Sequence, residues 1–196
     1  MGVSIKDNGG FQNLLKKVAS RANTAHVDVG IVATAKNAQK VAEYAKYLEY
    51  GWVQRVTYKQ DKYFFGKVIP DSPIRPKMGA SLVMPPRPTF HATARAYCQD
   101  WENTLKAGLK LHASGDLTMA LIAVGEQAKA DIQTTIANNG TGQEPFPDRS
   151  PVTMEILAAK TAGKATDSSG GMSRTKALLR SRDFFNSIGY DIVSKK

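Results

Sequence analysis

The first clear periodicity along the chain is helical. Phe11, Leu14, Leu15, Val18 and Ala22 recur at three- and four-residue spacing with Lys16, Lys17 and Arg21 between them, after residues 1–10, whose Asn8-Gly9-Gly10 ending reads as a flexible arm. The period then drops to two, with Val27, Val29, Ile31 and Ala33 alternating with Asp28 and Gly30, as in a half-buried strand. Ala38, Val41, Ala45 and Leu48 next form a helical stripe, and Gly51 follows it as a left-handed stop. Tyr44, Tyr47 and Tyr50 on this helix suit a core or a subunit contact, since tyrosine is favoured where proteins meet. Glu43 and Glu49 read as solvated.

Residues 52–69 hold two β-rich runs, Val53, Val56 and Tyr58, then Tyr63, Phe64, Phe65, Val68 and Ile69, on either side of Gln60-Asp61. They predict a protruding β-hairpin. A proline-bearing loop follows, and then Pro85-Pro86-Arg87-Pro88. Three prolines in four residues fix φ, lack amide donors and push their predecessors into extended geometry, so this stretch is a stiff connector. Directly behind it Ala94, Tyr97, Trp101, Leu105 and Leu109 share one face of a helix over residues 89–112, so the connector sets where that helix starts. Arg87 is the candidate for a charge pair anchoring the connector, with Phe90 and Trp101 packing behind it.

Ser114-Gly115-Asp116 separates this helix from the cleanest one, where Leu117, Leu121, Val124, Ala128, Ile132 and Ile136 line one face before Asn138-Asn139-Gly140 ends it. Residues 140–173 predict a long exposed loop with a helical turn at 153–160. Ser181 is placed to cap a short helix through Ile188, Gly189 to stop it, and Tyr190 to Val193 to form a closing strand. The order predicts a single α+β domain over residues 1–196, its small, mostly antiparallel sheet packed by amphipathic helices on one face.

Composition narrows the function more than the fold. A chain of 196 residues is long enough for one proper core. No apolar run reaches bilayer length, and the first residues lack the apolar core of a secretory signal, so no membrane association is expected. The single Cys98 allows no internal disulfide and reads as a small core residue. The net charge of +10 suits polyanionic surroundings, with lysines and arginines spread along the chain. His26, His91 and His112 lie in three separate elements, and no nucleophile–base pair, metal spacing or phosphate-cradling loop is present. The chain reads as a non-enzyme without catalytic residues, cofactor or metal.

Four segments taken in order carry a resemblance: Val27-Asp28-Val29-Gly30-Ile31, the helix from Ala42 to Glu49-Tyr50-Gly51, Pro85-Pro86-Arg87-Pro88-Thr89-Phe90, and Leu178 through Ser187-Ile188-Gly189-Tyr190-Asp191-Ile192-Val193. This order resembles the tail-completion or neck proteins of long-tailed bacteriophages, also called head–tail joining or minor tail proteins. Gly125-Glu126 and the run from Ser150-Pro151 to Lys160 fit the same pattern, and the resemblance covers the chain from residue 26 onward. Thr89 stands between Pro88 and Phe90 where the family has the two adjoining. Ser181-Arg182 replaces Thr-Gly, and the stretch from Gly51 to Pro85 is longer than in the family. The resemblance implies a structural virion protein, assembled in the host cytoplasm, that forms a sixfold ring at the head–tail junction or upper tail end. Its implied partners are copies of itself, neighbouring neck and tail proteins, and DNA in the channel through non-specific backbone contacts. Gly30, Tyr44, Tyr47, Gly51, Pro85, Pro86, Arg87, Pro88, Phe90, Ser181, Ser187 and Ile188 are the implied motif and interface residues. The alternative within the class is a tail-terminator subunit capping the tail tube. From another class it is a basic, non-specific nucleic-acid-binding protein, expected to bind duplexes with a steep salt dependence.

Overall fold

The structure, a computed structural model, describes residues 25–32, 34, 38–111, 117–161 and 183–194. The expected N-terminal arm, the helix over residues 11–22, the Ser114-Gly115-Asp116 break, His112 and Ser181 lie outside the described residues.

The fold is α+β. Strand β1 (Ala25–Ile31) pairs antiparallel with β4 (Ile188–Ser194), with Gly30 opposite Gly189 and Val29 opposite Tyr190. A second antiparallel pair joins β2 (Trp52–Arg55) to β3 (Ser81–Met84). The strands thus form two separate two-stranded sheets. Helix α1 (Ala38–Tyr50) connects β1 to β2 and buries Val41, Ala45 and Leu48. Two long helices, α3 (Thr89–Leu111) and α4 (Leu117–Asn138), pack along one another. Short helices α5 (Pro151–Thr161) and α6 (Asp183–Ser187) follow.

The seam between α3 and α4 alternates polar ties with close approach. The Thr93 and Thr135 hydroxyls are hydrogen-bonded at 2.9 Å, Trp101 Nε1 donates to Asp131 at 2.7 Å, and the Thr104 hydroxyl donates to Gln127. Farther along, Gly108 lets the backbones meet, since a Cβ there would lie 2.9 Å from that of Ala120. The other side of α4 receives β1 and β4. There Tyr190 lies across Gly125, where an added Cβ would come within 2.5 Å of its ring. A hydrogen bond to Glu126 holds the Tyr190 phenol above its ordinary pKa, with burial adding to the shift.

Two hydrophobic clusters result. The main one gathers Val41, Ala45, Leu48, Ala92, Ile132, Ile136, Phe146, Phe184 and Ile188. A smaller one joins Val56, Phe65 and Ile69 with the half-buried Leu82, Val152 and Ile156.

Four expectations about these elements need correction. The hairpin over 52–69 does not form, because the strand partner of β2 is β3, and the intervening Gln60–Phe65 and Gly66–Val68 are helical, here together α2. The cause is local. Thr57 Oγ1 accepts the Gln60 N–H at 3.3 Å while Gln60 Oε1 accepts the Thr57 N–H at 2.9 Å, a reciprocal capping box that starts a helix. Phe65 and Ile69, four apart, then share its buried side. Gly189 does not stop a helix but belongs to β4, and Cys98 is exposed on α3. Within 140–173 the helical turn is longer than expected, beginning with Pro151 in its first position and Ser150 Oγ accepting the Thr153 N–H at 3.3 Å. Among the described residues no helix is long and apolar enough to cross a membrane.

Candidate functional site

The connector is held from three sides. Gly51, at φ +69°, ends α1 in the left-handed region; a Cβ there would lie 2.7 Å from the Met84 carbonyl oxygen and 2.9 Å from the Pro86 nitrogen. That glycine lets the end of α1 lie against the connector. The Arg87 N–H donates to the Leu48 carbonyl at 2.6 Å, closing the same contact by a backbone bond. Arg87 is buried, at 4% exposure, and its Nε and Nη2 donate to the carbonyls of Pro147 and Asp148 at 2.9 and 3.0 Å. The expected charge pair is therefore corrected: the guanidinium fork ties down a neighbouring loop through two carbonyls. Burial pulls its pKa below the ordinary arginine value and Arg149 adds to this, while Tyr44 and Asp148 oppose it.

Glu49 reverses its expected role. Its side chain is buried, and its carboxylate accepts the Phe90 and His91 N–H groups at 3.2 and 3.0 Å. It also lies 2.5 Å from His91 Nδ1. These amides belong to the first turn of α3, where helix donors lack internal partners, so Glu49 supplies an anion at the positive helix end from another element. Its place was legible: Val41, Ala45 and Glu49 are spaced by four, which puts the carboxylate on the buried stripe. Thr89 completes the turn, its hydroxyl donating to the Arg87 carbonyl at 3.2 Å, and Thr93 donates to the Thr89 carbonyl at 2.6 Å.

Phe90 links this corner to the chain's end, packing edge-to-face on Phe184 with ring centroids 6.0 Å apart. In α6 the buried Ser187 hydroxyl donates to the Phe184 carbonyl at 2.7 Å, and the Ser187 carbonyl accepts the Val32 N–H at 3.0 Å. Ile188 enters the main core. Gly30 faces Gly189 across the sheet, and a Cβ on it would meet nothing within 4 Å. Trp101 bridges α3 to α4 rather than backing the connector.

The structure thus brings Gly51, Pro85, Pro86, Arg87, Pro88 and Phe90 together at one corner and joins Gly30, Ser187 and Ile188 at another, with Phe90 and Phe184 between. Tyr44 and Tyr47 stand exposed on α1 beside Tyr50, whose ring meets His91 edge-on at 6.1 Å. The outward face of the β2–β3 ribbon carries Val53 opposite Val83, at 68% and 61% exposure. Among the described residues no group of His, Cys, Asp and Glu could hold a metal ion. No protein-family model, curated protein or solved structure matches the chain.

Proposed function

We propose that this chain is a structural, non-enzymatic virion protein that forms a ring at the head–tail junction or upper tail end of a long-tailed bacteriophage. The observation that carries this reading is the order of the four motifs along the chain, from Val27 to Val193. Their pairing in space supports it. The first and last motifs share one antiparallel sheet, and the second and third are joined by the Leu48–Arg87 bond and the Glu49 carboxylate. A ring subunit needs a rigid body and two different surfaces that meet head to tail. The clamped connector supplies rigidity, and the exposed Tyr44, Tyr47, Val53 and Val83 supply apolar contact area.

The test is quantitative mass spectrometry of purified tailed particles that encode this chain, counted against the major capsid protein. About six copies per particle is the expected result for a closed sixfold ring. Absence from finished particles overturns the reading.

A further inference from the structure

Residues 52–84 form a lobe with its own small core, built on Val56, Phe65 and Ile69. They carry six basic and two acidic side chains, a net +4 out of +10 for the chain. The lobe turns one acid inward: Asp61 accepts from Arg75 Nη2 at 2.6 Å and from the Met78 N–H at 3.1 Å. What remains exposed is Arg55, Lys59, Lys62, Lys67 and Lys77 against Asp71.

Aromatic rings interleave with these cations. Tyr63 on α2 and Tyr58 just before it are 56% and 55% exposed, and Phe64 is also exposed. Lys62 Nζ donates to the Tyr58 hydroxyl at 3.0 Å and lies 5.5 and 5.8 Å from the centroids of the Tyr58 and Tyr63 rings. The lysine is thereby held in place before any partner arrives, which lowers the ordering cost of a contact. The segment is wound as a π-helix over Gln60–Phe65, a winding that recurs at functional sites.

We infer that the α2 face of this lobe, through Lys59, Lys62, Lys67, Tyr58 and Tyr63, binds the phosphate backbone of nucleic acid, with the tyrosine rings open to base stacking on single strands. Lysine is depleted where proteins meet, whereas lysines spaced among exposed rings match what phosphates and unpaired bases require. The inference stands on the lobe and not on the ring reading, so either can fail alone.

Fluorescence anisotropy of the full chain with a labelled 20-mer, as duplex and as single strand, at several salt concentrations tests it. Three variants are compared. Lys59→Ala, Lys62→Ala and Lys67→Ala combined is expected to reduce the salt slope by about 2.7 and so to weaken duplex binding by a few hundredfold at about 0.1 M salt. Lys106→Ala, Lys110→Ala and Lys129→Ala combined removes equal charge from α3 and α4 and is expected to leave the slope within about one unit of the parent. Tyr58→Ala with Tyr63→Ala is expected to weaken single-strand binding more than duplex binding. Equal losses in the two lysine triples, or no binding by the parent, overturn the assignment. If the parent does not bind but the α2 triple breaks up an oligomer, the face belongs to an acidic protein surface instead.

Discussion

The connector corner and the lobe join at Gly51 and Met84, yet they treat polar and apolar groups in opposite ways. At the connector, Glu49, Arg87 and Thr89 are buried and each side chain finds hydrogen-bond partners. The apolar side chains behind them, Leu48, Ala92 and Phe184, are almost wholly covered. In the lobe three buried side chains hold the core, while Tyr58, Tyr63, Phe64, Met78, Val53 and Val83 stay in water and Arg75 Nε is buried without a partner. Burial with satisfied polar groups makes a region stiff. A small core with large rings left outside makes one that opens locally and has area to spare for contact. The difference teaches that rigidity and recognition are assigned to separate stretches of the chain.

That comparison is most exposed to test at Phe65. Removing its ring from the smaller core costs about 3–5 kcal/mol, comparable with all that core can supply. Phe65→Ala is expected to abolish hydrogen-exchange protection across residues 56–69 while the amides of α3 and α4 keep theirs. Loss of protection everywhere at once would mean that the two cores are a single cooperative unit. Arg87→Ala should act the other way round. It removes the buried guanidinium and its two bonds to the Pro147 and Asp148 carbonyls, a loss of about 2–3 kcal/mol seen as a lower urea midpoint for the whole domain. Arg87→Lys should recover only part of it, because one ammonium does not reproduce the guanidinium fork. Gly51→Ala is expected to cost about 1–2 kcal/mol in the same measurement, through the left-handed φ and the nearby Met84 carbonyl.

Much of the connector was legible because its signals are local and covalent. Pro85, Pro86 and Pro88 dictate extended backbone whatever surrounds them, and Gly51 announces a left-handed stop. The two long helices and the terminal strands were legible from period alone, as the buried stripe Leu121, Ala128, Ile132 and Ile136 shows. The lobe misled because Tyr63, Phe64 and Phe65 have high β-propensity, and propensity yielded to the Thr57–Gln60 capping box and the four-residue spacing of Phe65 and Ile69. Partners far apart in sequence were not legible in the same way. That Arg87 bonds carbonyls 60 residues away, and that Glu49 caps a helix 41 residues on, depends on the tertiary approach of separate elements. Reading both as ordinary charged side chains mistook the loop carbonyls and helix amides for a carboxylate and for water.

The smallest effect separates the two regions by pH. Arg75 and the Met78 N–H hold the Asp61 carboxyl below its ordinary value of 3.8, the Arg75 hydrogen bond contributing most. A carboxyl whose pKa is lower in the folded lobe than in the opened one stabilises the lobe fully above 3.8, and that contribution is lost as the pH falls through the lowered value. Acid should therefore loosen the lobe through Asp61, a route that the Arg87 contacts of the connector lack, since carbonyls do not titrate. Trp52, in the ribbon, reports the lobe once Trp101, which bonds the Asp131 carboxylate between α3 and α4, is removed. In Trp101→Phe the remaining fluorescence should change as the pH is lowered past 3.8. Adding Asp61→Asn to Trp101→Phe should remove the acid step, since the amide keeps an acceptor for Arg75 but has no proton to gain. An acid step that survives Asp61→Asn would show that Asp61 does not set the lobe's response to acid and that the contrast between the two regions is one of surface only.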